Sequence, residues 1–178
     1  MDHWLSQPNY VELWYEARAM TQQFAYYTEH MTLRPTGGDP SIRYKWDTAQ
    51  ALTEAHQRYG KPITILYFGD LDKKGLSIAK TLERDVRKWA KCDFQFIRAG
   101  LNLEQVRRYG VPENFEHPGS YQWEALSDDA AREIITAAVG NLVSHDAFSA
   151  LAEKEREVTA WFNKAATTLA NEWSNHHE

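Results

Sequence analysis

The stretch that decides the fold is PITILYF at residues 62–68, followed directly by GDLDKKG at residues 69–75. The first part is a nearly continuous apolar run, which is typical of a strand buried on both faces in the middle of a parallel sheet. The second part combines glycines with acids, and the glycines allow a tight backbone turn. We therefore expect a central parallel strand that ends in two acids, Asp70 and Asp72.

The segments on both sides of this strand alternate between strand and helix patterns. Further strands are predicted at 10–15, 32–34 and 94–97, and helices at 17–30, 41–59, 75–90, 103–109, 128–143 and 147–173. This order predicts an α/β fold with a mostly parallel sheet of about four strands, flanked by helices and with C-terminal helices packed on it. We expect an α/β core over residues 1–126 and a helical extension over residues 127–178.

The spacing of apolar residues predicts which side of each helix is buried. For the helix at 41–59 the predicted buried residues are Trp46, Ala49, Leu52 and Tyr59, and for the helix at 75–90 they are Leu76, Ala79, Leu82, Val86 and Trp89. The last helix carries Val158, Trp161, Phe162, Ala165, Leu169 and Trp173 along one side. Covering of the sheet is the first interpretation of that side, and contact with a second copy or a partner is the alternative.

Composition and charge exclude several classes of protein. A single cysteine, Cys92, excludes an internal disulfide framework and a cysteine-based zinc site, and it favours a reducing, cytoplasmic setting. No apolar run approaches the roughly 20 residues that span a membrane, and the first residues lack the pattern of a signal peptide. The net charge of −5 does not by itself indicate a nucleic-acid-binding protein.

The charges are nevertheless distributed unevenly. Residues 73–123 contain ten Lys and Arg against six acids, whereas residues 124–178 contain four against ten. This asymmetry permits a basic surface beside an acidic site. Solvated helices with mixed charges give the same pattern, so charge alone does not predict DNA binding.

Two of the predicted strands run directly into acids. The strand at 10–15 ends at Glu16, and the strand at 62–68 ends at Asp70 and Asp72. Ligands of parallel α/β sheets bind beyond the carboxyl ends of the strands, so adjacent strands would bring the three carboxylates together. Mg²⁺ prefers such oxygen ligands and would relieve their mutual repulsion. The competing interpretation is a turn with a helix cap at Asp70 and Asp72, and a helix-dipole interaction at Glu16.

These features together resemble the Toprim domain of topoisomerases, bacterial primases, OLD nucleases and ribosomal-RNA maturases. The likeness is closest to the version in the A subunit of topoisomerase VI and in related phage and mobile-element proteins. It rests on VELWYE at 11–16, TGGDPS at 36–41, YFGD at 67–70 and WEAL at 123–126, and it covers roughly residues 10–140.

The resemblance implies an Mg²⁺-dependent enzyme, with Mn²⁺ as a substitute, that acts on phosphodiesters of DNA or RNA. Glu16, Asp70 and Asp72 would be its metal ligands and catalytic residues. Nucleic-acid contacts would come from Arg18, Lys73 and Lys74, and Glu124 would support the metal site from outside or bind a second ion. The implied partners are a winged-helix domain or a partner subunit, and a second copy of the chain.

Two departures from the Toprim pattern favour hydrolysis over strand passage and keep a non-catalytic interpretation open. Many relatives follow the first glutamate with lysine, whereas this chain has Ala17 and then Arg18. The strand-cleaving tyrosine of the topoisomerase lies in a winged-helix domain, and no tyrosine here has an equivalent place. The resemblance therefore implies a nuclease, or else a Toprim scaffold that binds DNA or a protein partner without catalysis.

Overall fold

A computed structural model of the chain describes residues 2–28 and 30–175. The strands are β1 (Tyr10–Tyr15), β2 (Thr32–Pro35), β3 (Ile63–Phe68) and β4 (Gln95–Gly100). The α-helices are α1 (Thr21–Tyr27), α2 (Ile42–Tyr59), α3 (Lys73–Trp89), α4 (Leu103–Tyr109), α5 (Asp128–Val139) and α6 (His145–Asn175), with short 3₁₀ turns at Arg18–Met20 and Trp123–Ala125.

The four strands form one all-parallel sheet in the order β2-β1-β3-β4. The central strands β1 and β3 are buried along their whole length, as their apolar sequences predict. Helices connect successive strands, because parallel neighbours need a crossover. The predicted α/β fold with a parallel sheet of four strands, flanking helices and C-terminal helices is confirmed.

Aromatic side chains cover both faces of the central strands, because successive residues of a strand point to opposite faces. On one face Tyr15 stacks on Phe24 of α1, with 4.7 Å between ring centroids, and Phe24 meets Phe68 edge-on at 4.8 Å. On the other face Tyr67 lies against Phe96 of β4 at 5.7 Å. The sheet is therefore the middle layer of the core.

One carboxylate lies entirely inside this core. Glu12 of β1 is 0% exposed, and both of its oxygens accept hydrogen bonds. Oε1 accepts from the Tyr10 hydroxyl at 2.9 Å and from Arg34 Nη2 at 3.0 Å, and Oε2 accepts from the Trp14 indole at 2.7 Å and from Arg34 Nε at 2.5 Å. Such a buried charge is tolerated because neighbouring side chains supply both a charged partner and hydrogen-bond donors for its remaining acceptor sites.

The predicted buried sides of α2 and α3 are wrong near the N-terminus of each helix. In α2, Trp46 is 45% exposed, and Lys45 is buried instead because its ammonium group lies 3.2 Å from a carboxylate oxygen of Asp85. In α3, Leu76 is 46% exposed and Ile78 is buried. The other predicted positions that are buried are Ala49, Leu52, Ala79, Leu82 and Val86.

Contacts divide the described chain into two compact units. The larger runs from Pro8 to Val143 and contains the sheet with α1 to α5, and α5 contacts β4 and α1. The smaller joins the N-terminal residues up to Gln7 with those from Ser144 onward. By contacts α5 therefore belongs with the sheet, and the domain boundary expected after Leu126 stays a prediction.

In the smaller unit the N-terminal residues form hydrogen bonds and a ring contact with residues at the start of α6. The Gln7 side chain donates to the carbonyl of Ser144 at 3.0 Å and accepts from its amide at 2.7 Å, and Trp4 packs edge-on against Phe148 at 6.3 Å. Further along α6 the apolar side that was expected to be buried is exposed, so that expectation is wrong. None of the described helices combines the length and apolar character needed to cross a membrane.

Replacing Arg34 by Met should lower the free energy of unfolding by about 3 kcal/mol, because a buried carboxylate loses its charged partner. Chemical denaturation followed by tryptophan fluorescence measures this change. The matched control is Arg43→Met, which removes the exposed pair with Asp47 and should cost less than about 1 kcal/mol. Equal losses in the two variants would contradict a structural role for the buried pair.

Candidate metal centre

The pairing of β1 with β3 brings Glu16 to the loop that follows β3. Tyr15 lies opposite Phe68, and the amide of Glu16 donates to the carbonyl of Phe68 at 3.0 Å. The side chain of Glu16 then reaches the loop, where its Oε2 accepts from the amide of Asp70 at 3.4 Å. The two strand ends that the sequence singled out therefore meet.

Two glycines leave the space that the Glu16 carboxylate occupies. A Cβ atom at Gly69 would lie 2.8 Å from Glu16 Oε2. A Cβ atom at Gly75 would lie 2.6 Å from the carbonyl oxygen of Asp70 and 3.2 Å from Glu16 Oε2. The carboxylate thus fits between the loop and the first turn of α3 because both positions lack a side chain.

Backbone amides hold one oxygen of each aspartate. Asp70 Oδ1 accepts from the amide of Trp123 at 2.8 Å. Asp72 Oδ1 accepts from the amide of Gly75 at 2.6 Å and caps α3, so the helix-cap interpretation is confirmed for Asp72. Because a carboxylate has two oxygens and several acceptor sites, a cap does not exclude a second role.

Two of the carboxylates at this place have raised pKa values. Burial raises the pKa of Glu16 above its ordinary value, and the charges of Asp70 and Asp72 raise it further. Burial also raises the pKa of Asp70, as do the charges of Asp72 and Glu124, against the opposing effect of the Trp123 amide. These four acids form one electrostatic cluster, which we call the acid cluster.

Arg98 is a site residue that sequence reasoning missed. It lies in β4 opposite Tyr67, and its guanidinium donates to the carbonyls of Gly69 at 3.1 Å, Asp70 at 2.5 Å and Leu101. Burial lowers its pKa, against the opposing charges of Tyr67 and the nearby acids. The available signal was an arginine that follows apolar residues near the carboxyl end of a strand. Such a half-buried cation needs hydrogen-bond acceptors, which the loop carbonyls provide here.

The other predicted site residues occupy different places. Glu124 is exposed in the second 3₁₀ turn, next to the residue whose amide holds Asp70, and its charge acts on Asp70. Arg18 is exposed, and its Nε lies 3.6 Å from the place of a Cβ at Gly37. Lys73 and Lys74 are exposed in the first turn of α3. Their contact with nucleic acid stays a prediction.

The donor chemistry of the acid cluster fits Mg²⁺. Carboxylates that repel one another are the groups that a divalent cation stabilises, and Glu16, Asp70 and Asp72 would hold the ion. Among residues 2–28 and 30–175, however, no three His, Cys, Asp or Glu side chains are arranged so that they could hold a metal as they stand.

Comparisons with protein-family models, curated proteins and solved structures find no match to this chain. The Toprim resemblance consequently rests on the sequence motifs alone. The metal and the activity that it implies stay predictions.

Replacing Glu16 by Gln should stabilise the metal-free protein at neutral pH by about 1 kcal/mol, the size of the interaction between two like charges about 4 Å apart in bulk water. A carboxyl group whose pKa is raised by folding destabilises the folded state when it is ionised. The gain should therefore be absent below pH 4.5, the ordinary pKa, and should grow as the pH rises through the raised value.

Thermal unfolding in EDTA across this pH range measures the gain in stability, and the same measurement in excess Mg²⁺ measures stabilisation by the metal. Mg²⁺ should raise the melting temperature of the wild type and leave that of the Gln variant unchanged. Glu54→Gln, on the exposed surface of α2, is the control and should show neither change. A Glu16→Gln variant that still responds fully to Mg²⁺ would remove Glu16 from the metal site.

Proposed function

We propose that this protein is an Mg²⁺-dependent enzyme that cleaves nucleic-acid phosphodiesters, as a nuclease or as the cleaving domain of a topoisomerase-like assembly. The observation that supports the proposal is the meeting of Glu16 and Asp70 at adjacent strand ends, with Asp72 and Glu124 coupled to them electrostatically. Two acids with raised pKa values at the carboxyl edge of a parallel sheet are typical of a functional site.

Each residue of the cluster has a role that follows from its surroundings. When bound, Mg²⁺ would supply positive charge to the developing negative charge on the phosphate. Asp70 and Asp72 are oriented by backbone amides, which suits them to bind the cation. Glu16 has a raised pKa, so it would complete the metal site or exchange a proton with the leaving oxygen. Arg98 holds the carbonyls of the loop in place.

The surface beside the acid cluster supplies the predicted contacts to nucleic acid. Lys73 and Lys74 lie one and two residues beyond Asp72, and both are exposed. Exposed lysines bind phosphate without reading sequence. DNA is the expected substrate and RNA the alternative.

A specific observation favours a second candidate, a non-catalytic scaffold that binds DNA or a protein partner. Asp72 already caps α3, and Asp70 and Glu16 already accept from backbone amides. In addition, Ala17 stands where many Toprim proteins have lysine. In this interpretation the acids serve the local fold and no cleavage follows.

Cleavage of supercoiled plasmid and of single-stranded DNA and RNA, with Mg²⁺, Mn²⁺ or EDTA, separates the two candidates. The enzyme should cut only with metal, and Glu16→Gln and Asp70→Asn should each reduce the rate by at least about 100-fold. Glu54→Gln should cut like the wild type. Binding without cleavage that is unaffected by these changes would reject the enzyme in favour of the scaffold.

Replacing both Lys73 and Lys74 by Ala should weaken DNA binding and make it less dependent on salt. Each lost phosphate contact on duplex DNA should lower the slope of log affinity against log salt concentration by about 0.9. Fluorescence anisotropy at several salt concentrations measures this slope. Lys80→Ala, an exposed lysine further along α3, is the control, and an equal loss there would mean that the two lysines contribute only general charge.

A further inference from the structure

The second half of α6 has an unusual exposure. From Arg156 to Asn171 every residue is exposed apart from Ala165, which is half-buried. Helices in proteins obtain most of their stability from packing one apolar face, because isolated helices are marginal in water. The long helix α6, 31 residues from His145 to Asn175, therefore indicates an interaction along this segment.

The apolar residues of this segment follow the spacing of a coiled coil. Val158, Phe162, Ala165 and Leu169 are separated by four, three and four residues, which is the alternation of core positions in a heptad repeat. Phe162 is 61% exposed, Leu169 66% and Val158 37%. We call these four residues the α6 seam.

The seam is complementary to itself when it is reversed. We place a two-fold axis between Asn163 and Lys164, so that the helices of the two copies run antiparallel. Phe162 then lies opposite Ala165 of the second copy, and Val158 lies opposite its Leu169. Every layer then combines a larger with a smaller side chain, which packs evenly. A parallel arrangement would instead put two phenylalanines in one layer and two alanines in the next.

The positions beside the seam fit the same arrangement. Trp161, which is 64% exposed, flanks Phe162 on the side where the second copy would present Thr168. Between Val158 and Leu169 the only charged residue is Lys164, and its heptad position lies outside the seam. Like charges are absent within these layers, and the pair ends there because the next layer outwards would place Glu155 opposite Glu172 of the second copy.

We propose that the α6 seam binds the seam of a second copy of this chain as an antiparallel helix pair. Aromatic side chains bury about 150–250 Å² each, so two copies of Trp161 and Phe162, with the aliphatic residues, would bury roughly 1,000 Å². An interface of that size is small, and the dimer should dissociate on dilution. This proposal does not depend on the metal site or on its activity.

Sedimentation equilibrium of the full chain over a wide concentration range tests the dimer. The mass should rise from 20.6 kDa towards twice that value as the concentration increases. Phe162→Asp and Leu169→Asp should each keep the chain monomeric, because they place a charge in the seam. Ala160→Asp adds the same charge on the outer side of the helix and should leave the dimer intact. Circular dichroism checks that the sheet unit stays folded in all variants.

Spin labels measure the direction of the helix pair. In a Cys92→Ser background, labels are attached to Lys164→Cys or Asn171→Cys, which share one heptad position. In an antiparallel dimer the offset between the two labels along the helix axis should be about 20 Å larger at 171 than at 164, because the rise is about 1.5 Å per residue, so the distance between the labels should be longer at 171. Equal distances at the two positions would overturn the antiparallel arrangement. A chain that stays monomeric, or a dimer that survives both seam substitutions, would overturn the proposal.

Discussion

The parallel pairing of β1 with β3 is the constraint on which the other features of the larger unit depend. It sets Tyr15 opposite Phe68, so both strands leave the sheet at the same edge. Glu16 and Asp70 follow immediately and are joined by a hydrogen bond. Because side chains alternate between the faces of a sheet, a shift of one residue would reverse both buried faces and separate the acids.

The buried pair of Glu12 and Arg34 favours this one register. Four hydrogen bonds to the carboxylate come from side chains on β1 and β2, and the donors are on the same face only when the strands pair as they do. An apolar residue at position 12 would be compatible with several registers. The carboxylate of Glu12 is not, because in any other register it would be buried without its partner Arg34, which is costly. The pair therefore contributes specificity in addition to stability.

The acid cluster, unlike the pair of Glu12 and Arg34, does not favour the fold in which it lies. Burial and the charges of neighbouring acids raise the pKa of Glu16 and of Asp70, and Gly69 and Gly75 occupy positions where a side chain would collide with Glu16 or the loop. The repulsion among these acids opposes the metal-free fold, whereas the two glycines leave space for the Glu16 carboxylate. Local conflicts of this kind are concentrated at functional sites, because there the arrangement is retained for what it binds. The half-buried guanidinium of Arg98 donates hydrogen bonds to the loop carbonyls and so offsets part of the conflict.

The sequence by itself determined the strands, their parallel class and the acids at their ends, because burial on both faces and the position of an acid after a strand are local patterns. Tertiary structure alone decided that Arg98 binds the loop, that Lys45 is buried while Trp46 is exposed, and that the apolar side of α6 is exposed. The physical reason is that an amphipathic pattern shows which side of a helix is apolar but not what covers it. Likewise, a charged side chain finds its partners only once distant segments have packed.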